Sequence, residues 1–142
     1  MTSKFTAIVR IKKSVMQKAE NLLAGARAAI RENKSKIENI KQELLSVNVP
    51  TSGTISQMRQ TQLYKDRYRS ALTVEQWRLS QNQLLEQNRK VELTNAMREY
   101  EKFKFLESDE LEKHVLKLKK EEAKMLDEVG SITYTLRNKG YL

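Results

Sequence analysis

The sequence predicts an all-α protein, an antiparallel two-helix coiled-coil hairpin whose second helix is longer than the first. Two apolar stripes and one proline carry that prediction. Ile8, Ile11, Val15, Ala19, Leu22, Ala26, Ile30, Asn33, Ile37, Ile40, Leu44 and Val47 recur at steps of three and four. Leu111, Val115, Leu118, Glu122, Met125, Val129, Ile132 and Leu136 do the same near the other end. Such steps hold side chains on one face of an α-helix, so each stripe describes a long helix in need of a partner. Between them stands Pro50, the only proline in the chain.

The first helix is expected over about residues 3–47, opening near Thr2 or Ser3, either of which can cap its free amides. Ala24-Gly25-Ala26-Arg27-Ala28-Ala29 is rich in small residues that let a partner approach closely, although Gly25 costs about 1 kcal/mol in helix propensity relative to alanine. Asn33 is the one polar member of the stripe. A lone asparagine at a seam fixes register at some cost in stability; at the seam's edge it is simply hydrated.

Residues 48–54 form the turn, where Pro50 cannot continue a helix and Gly53 supplies backbone freedom. Thr54-Ile55-Ser56-Gln57 fits a capping box. The second helix then runs over about residues 55–137, with no strong stop before Gly130 or Gly140. Its first half holds two apolar rows, Leu63, Trp77, Leu84, Val91 and Tyr68, Leu72, Leu79. Either one row faces the first helix and leaves the other open, or both share a broad seam. At Glu107-Ser108-Asp109 the spacing slips, which fits a break or a continuous helix with a phase shift.

The lengths do not match. A first helix of about 42 residues measures roughly 63 Å, and a second of about 80 residues roughly 120 Å. Folded antiparallel, Ile8 should lie near Leu93, and nothing remains to cover Leu111 through Leu136. Leaving those seven apolar side chains in water forgoes on the order of 10 kcal/mol. The C-terminal arm therefore folds back, pairs with a second copy or enters another protein.

Composition narrows the function. There is no cysteine, which removes disulfides and thiolate chemistry and suits a reducing cytoplasm. No apolar run reaches the roughly 20 residues a membrane helix needs, and the N-terminus does not read as a secretory signal. His114 is the only histidine, on an expected solvated face, so no histidine metal pair or triad can be built within one chain. No phosphate-binding glycine loop is present, and acids such as Glu121, Glu122, Asp127 and Glu128 alternate with lysines as helix-surface ion pairs do. The expectation is a binding protein without enzymatic activity, cofactor or metal.

The formal charge of +9 is uneven. Ten basic and four acidic residues through Val47 give +6, seven and four from Asn48 to Met97 give +3, and ten against ten from Arg98 onward cancel. A basic hairpin attracts acidic protein surfaces, anionic lipid or nucleic acid. Tyr64, Tyr68 and Trp77 interleave with Arg59, Lys65, Arg67, Arg69 and Arg78, but acidic residues intervene and no nucleic-acid module is present, so nucleic acid is disfavoured.

A basic helix, a proline-glycine turn and a longer helix bearing Ala96-Met97-Arg98-Glu99-Tyr100-Glu101-Lys102 resemble the FliJ family of flagellar export proteins. Glu122-Ala123-Lys124-Met125-Leu126-Asp127-Glu128 is similar to that family's C-terminal pattern. The resemblance implies a cytoplasmic component of the flagellar type III export apparatus, peripheral to the inner membrane when engaged there. Such proteins look like the coiled-coil stalk of rotary ATPases. They bind the hexameric export ATPase FliI and the export gate FlhA, and serve export chaperones. For the gate contact, Tyr68, Leu72 and Leu79 match the family's row in type and spacing, whereas Leu44, Leu45 and Val47 stand where its first helix usually has tyrosines. For the ATPase ring the resemblance suggests Met125, Val129 and Ile132 with Asp127 and Glu128, together with Phe5 and Ile8. Self-association through the C-terminal arm is the alternative.

Overall fold

A computed structural model describes residues 3–48 and 53–140. It is an all-α antiparallel two-helix hairpin, with α1 over Thr6–Ser46 and the longer α2 over Ile55–Asn138. Thr2 and Pro50, expected at a cap and in the turn, lie outside the described residues. The chain divides into two units, Val15–Met97, and Met1–Ser14 with Arg98–Leu142.

Within Val15–Met97, α1 buries Ala19, Leu23, Ala26, Ile30, Asn33 and Ile37. These steps of four and three have the mean period of 3.5 that keeps a supercoiled seam facing its partner. Glu75 is the one buried residue of α2 among the described residues, and no described side chain is wholly buried. A two-helix layer covers each seam from one side only, so stability is spread over many half-covered contacts.

The expected first stripe is corrected in its early part. Ile11, Val15 and Leu22 are exposed, and the seam runs instead through Lys12, Met16 and Leu23. At period 3.5, Leu23 falls in line with Ile30 and Ile37, while Leu22 is carried to the flank. Lys12 takes a seam-side place because its ammonium meets Glu99 at 3.7 Å and lies over the Phe103 ring at 5.6 Å.

The register sits further along α2 than expected. Phe5 packs on Phe103 with ring centroids 6.4 Å apart, and Lys12 pairs with Glu99. Ile8 therefore lies opposite the stretch between Glu99 and Phe103, not opposite Leu93. The reason is visible where α2 begins: Ile55 to Gln60 are all exposed, so α2 starts before its paired stretch does. The capping box forms as read, Thr54 N–H donating to Gln57 Oε1 at 3.2 Å and Gln57 N–H to Thr54 Oγ1 at 3.3 Å. It fixes the start of α2 independently of α1.

Asn33 lies in the seam with both polar atoms of its amide hydrogen-bonded. Its Nδ2 donates to Glu75 Oε2 at 2.8 Å, its Oδ1 accepts from Asn82 Nδ2, and Arg78 Nη1 donates to Glu75 Oε1 at 2.7 Å. A satisfied buried network of this kind specifies one register, because a slip would strand its donors and acceptors. Asn33 thus lies in the seam and not at a hydrated edge, and its partners come from α2.

Within the other unit, Ser3 is buried and ties the start of α1 to α2. Its Oγ donates to Glu110 Oε2 at 3.0 Å and accepts from Phe5 N–H at 3.1 Å, and Lys4 N–H donates to Glu110 Oε1 at 3.4 Å. A carboxylate at a helix N-terminus satisfies free amides and complements the helix dipole. Here that carboxylate comes from the neighbouring helix. α2 is unbroken through Glu107-Ser108-Asp109, so the phase shift is absorbed without a break. His114 is half-buried, not solvated as expected, because it stands one turn past Glu110 at the end of the paired stretch. α2 passes through Gly130 and stops at Asn138, beyond which Gly140 takes φ 77°, the left-handed conformation that ends helices.

Candidate partner-binding surfaces

From Val115 to Asn138 α2 has no accompanying helix among the described residues, and every residue from Val115 to Gly140 but the half-buried Thr133 is exposed. Met125, Val129 and Ile132 are 64, 58 and 60% open to solvent, on the period that half-buries Leu111 within the paired stretch. Leu126 and Tyr134, absent from the sequence-derived site, are also exposed. Both lie off the stripe, so seam periodicity gave no signal for them. An exposed apolar array of this extent makes the arm the candidate interaction surface.

The charges on this arm are also unengaged. Lys113–Asp109 is the last ion pair along α2 among the described residues. Asp127 and Glu128 line a shallow groove with Lys124, Ser131 and Ile132, so carboxylates and apolar side chains face one solvent-filled space.

Phe5 and Ile8 are half-buried against α2 and do not join the arm residues. Phe5 rests on Phe103, and Met125 lies 22 residues further along the same helix, about 33 Å at 1.5 Å per residue. The proposed ATPase set is thus two separate patches.

Tyr68, Leu72 and Leu79 are half-buried on the side of α2 that faces α1. The open row is the other one, with Leu63, Trp77, Leu84 and Val91 each 58% exposed or more. Tyr68 has one distinct feature: hydrogen bonding to Glu43, and secondarily the charge of that carboxylate, hold its phenol above the ordinary value of 10.0.

Among the described residues no cluster of His, Asp or Glu could hold a metal ion, and no described helix is long and apolar enough to cross a membrane. The family model for the flagellar FliJ protein matches residues 1–139 of the 142. The chain belongs to the FliJ family. Membership gives it a role in flagellar export, in a family whose members are not enzymes. No curated protein matches the chain, and no solved structure does.

Proposed function

We propose that this FliJ-family chain is a stalk and coupling protein, binding the hexameric export ATPase through its C-terminal arm and the export gate through α2 near Tyr68. The carrying observation is the arm itself: a continuous helix with Met125, Val129 and Ile132 exposed, and with Asp127 and Glu128 exposed and in no ion pair among the described residues. A helix entering a protein ring needs both, apolar side chains to be covered and charges to fix its rotation. Phe5 and Ile8 serve this reading indirectly, by packing on α2 in the paired stretch that precedes the arm. For the gate, Tyr68, Leu72 and Leu79 are only partly exposed and Glu43 of α1 stands beside Tyr68, so a gate protein would read both helices together. Export chaperones are further partners by family, and engagement with the gate would make the protein peripheral to the inner membrane.

The test is stimulation of the export ATPase by substoichiometric amounts of the full chain. Met125→Glu with Val129→Glu should abolish stimulation while leaving the circular dichroism of the hairpin unchanged, since both side chains are open. Undiminished stimulation by that variant would remove the arm from the mechanism. In the same assay Tyr68→Ala should leave stimulation intact and weaken capture of the gate protein.

A further inference from the structure

Within Val15–Met97 the two flanks of the α1 seam differ in charge, and one of them has no role in the reading above. The buried residues of α1 keep a mean period of 3.5, so residues seven apart hold one place beside α2. Arg27, Lys34 and Lys41 are such a set, each about 10.5 Å from the next along the helix. All three are exposed, as is Arg31 one turn past Arg27. None of the four stands in an ion pair among the described residues. The carboxylates of α1 between Arg27 and Lys41 are Glu32 and Glu38. Glu32 pairs with Lys36 at 3.2 Å, beside Asn33 and Asn82 on the opposite flank. Glu38 accepts from Gln42 Nε2 at 3.0 Å, and Glu20, seven residues before Arg27, ends the cationic row.

Across from this row α2 supplies no counter-charge. Lys34 and Ile30 line an open groove of about 610 Å³ whose other wall holds Ser80, Gln83, Leu84 and Gln87 of α2. Glu86 also lines it, and that carboxylate pairs with Lys90 at 3.2 Å. The groove therefore has a cationic wall from α1, an amide and hydroxyl wall from α2, and an apolar spot at Leu84, which is 58% exposed.

We infer that this groove seats an acidic helix of another protein, lying along α1 with a carboxylate near each of Arg27, Lys34 and Lys41. Charge selects an anionic occupant, because the row is cationic and a second copy of a chain carrying +9 is repelled there. Spacing selects a helix. Cations seven residues apart on a seam flank face a partner's flank at the same interval, which is how charges beside a coiled-coil seam choose their partner. The helix's apolar side meets Leu84, and the Gln83 and Gln87 amides can donate to its carboxylates. A nucleic-acid strand carries a phosphate about every 3.4 Å of its axis, and a cation every 10.5 Å or so leaves most of those charges unmet. A bilayer surface has no side chain to enter the groove between the helices. Exposed ion pairs each contribute little, so the contact is weak and salt-sensitive.

The probe is a synthetic helix with leucine at its a and d positions and glutamate at e and g, labelled for fluorescence anisotropy against the full-length chain. It should bind, and bind less as salt rises. Arg27→Glu, Lys34→Glu and Lys41→Glu together should weaken binding about tenfold or more at unchanged circular dichroism. A matching helix with lysine in place of glutamate should then bind that variant. Lys117→Glu, Lys119→Glu and Lys120→Glu on the arm change the net charge equally and should leave the acidic helix bound. Absence of binding to the native chain overturns the proposal. Loss from the arm variant, alone or equal to that from the α1 variant, does so too, because the arm or net charge would then explain binding. A helix with glutamine in place of glutamate that binds as tightly has the same consequence. Anionic vesicles or a nonspecific duplex that bind more tightly at the same salt, and lose binding in the α1 variant, assign the row to lipid or nucleic acid and end the acidic-helix reading. The α1 variant should still stimulate the export ATPase, so this contact and the arm reading fail independently.

Discussion

Leu111 and Met125 lie on one helix, in one stripe of threes and fours, yet the first is half-buried and the second is 64% exposed. Near Leu111, α1 is present and Ser3 bonds to Glu110 at 3.0 Å; past His114 no described residue accompanies α2. An apolar period therefore states that a helix face needs cover and does not say which molecule supplies it. Chain length decides that. α1 is 41 residues and α2 is 84, so part of α2 must look elsewhere.

The sharpest way to break this comparison is a pair of truncations. Ile30, 7% exposed in the seam, should lose about 2–3 kcal/mol on Ile30→Ala, at the low end for a core isoleucine because the seam is covered on one side. Val129→Ala, at 58% exposure, should change stability by no more than about 0.5 kcal/mol. Denaturant titration of both variants decides it. A large loss at Val129 would mean the arm is already covered in the isolated protein.

The polar lock comes next. Glu75→Leu removes the acceptor of both Asn33 and Arg78 and should cost about 1–3 kcal/mol, mainly by leaving the buried Asn33 Nδ2 without its acceptor. Adding Asn33→Leu should recover most of that loss, since removing both partners of a buried bond can be nearly neutral. The double variant should then show broadened amide resonances along α1 from register heterogeneity. Sharp single resonances would deny the lock its specifying role.

Much of this was legible in the sequence, and the misses share one cause. Helix count, the unbroken capping box at Thr54 and the uncovered arm follow from spacing and length. Leu22 was placed in the seam and Leu23 was not, because steps of three and four can be threaded in either order and only the partner fixes the phase. Cross-helix groups were invisible for the same reason. Nothing local to Glu75 or Glu110 announces that one completes Asn33 and the other caps α1 through Ser3. The row of Tyr68, Leu72 and Leu79 was legible as a row, but which of α2's two rows faces α1 depends on pairing.

Glu110→Ala sharpens the contrast at the last paired turn. It removes the acceptor of Ser3 Oγ and Lys4 N–H and should cost about 1 kcal/mol, in the range of a lost helix cap. Amide exchange should accelerate at Lys4 and Phe5 and remain unchanged near Ile30. The two interior glycines follow, since a Cβ at Gly25 or Gly130 would meet nothing within 4 Å. Gly25→Ala should raise the stability of the hairpin by about 0.5–1 kcal/mol. Gly130→Ala should increase the helicity of the arm without moving the main unfolding transition, because the arm shares no seam with α1.

The smallest expected effect is the pH response of the paired region. The Tyr68 phenol is held above 10.0 by hydrogen bonding to Glu43 and by that carboxylate's charge. A group whose folded pKa is raised binds its proton more tightly in the native state, so its contribution is fully present below the unfolded value near 10.0 and is lost as pH climbs through the higher folded value. The stability of this region should therefore be indifferent to Tyr68 at neutral pH and decline only in strongly alkaline solution. Ultraviolet titration should show one phenol ionising later than the rest, and Glu43→Gln should return it toward the others by removing the charge. A late phenol that persists in Glu43→Gln would place the cause elsewhere, with the neighbouring Tyr64 phenolate the next charge to consider.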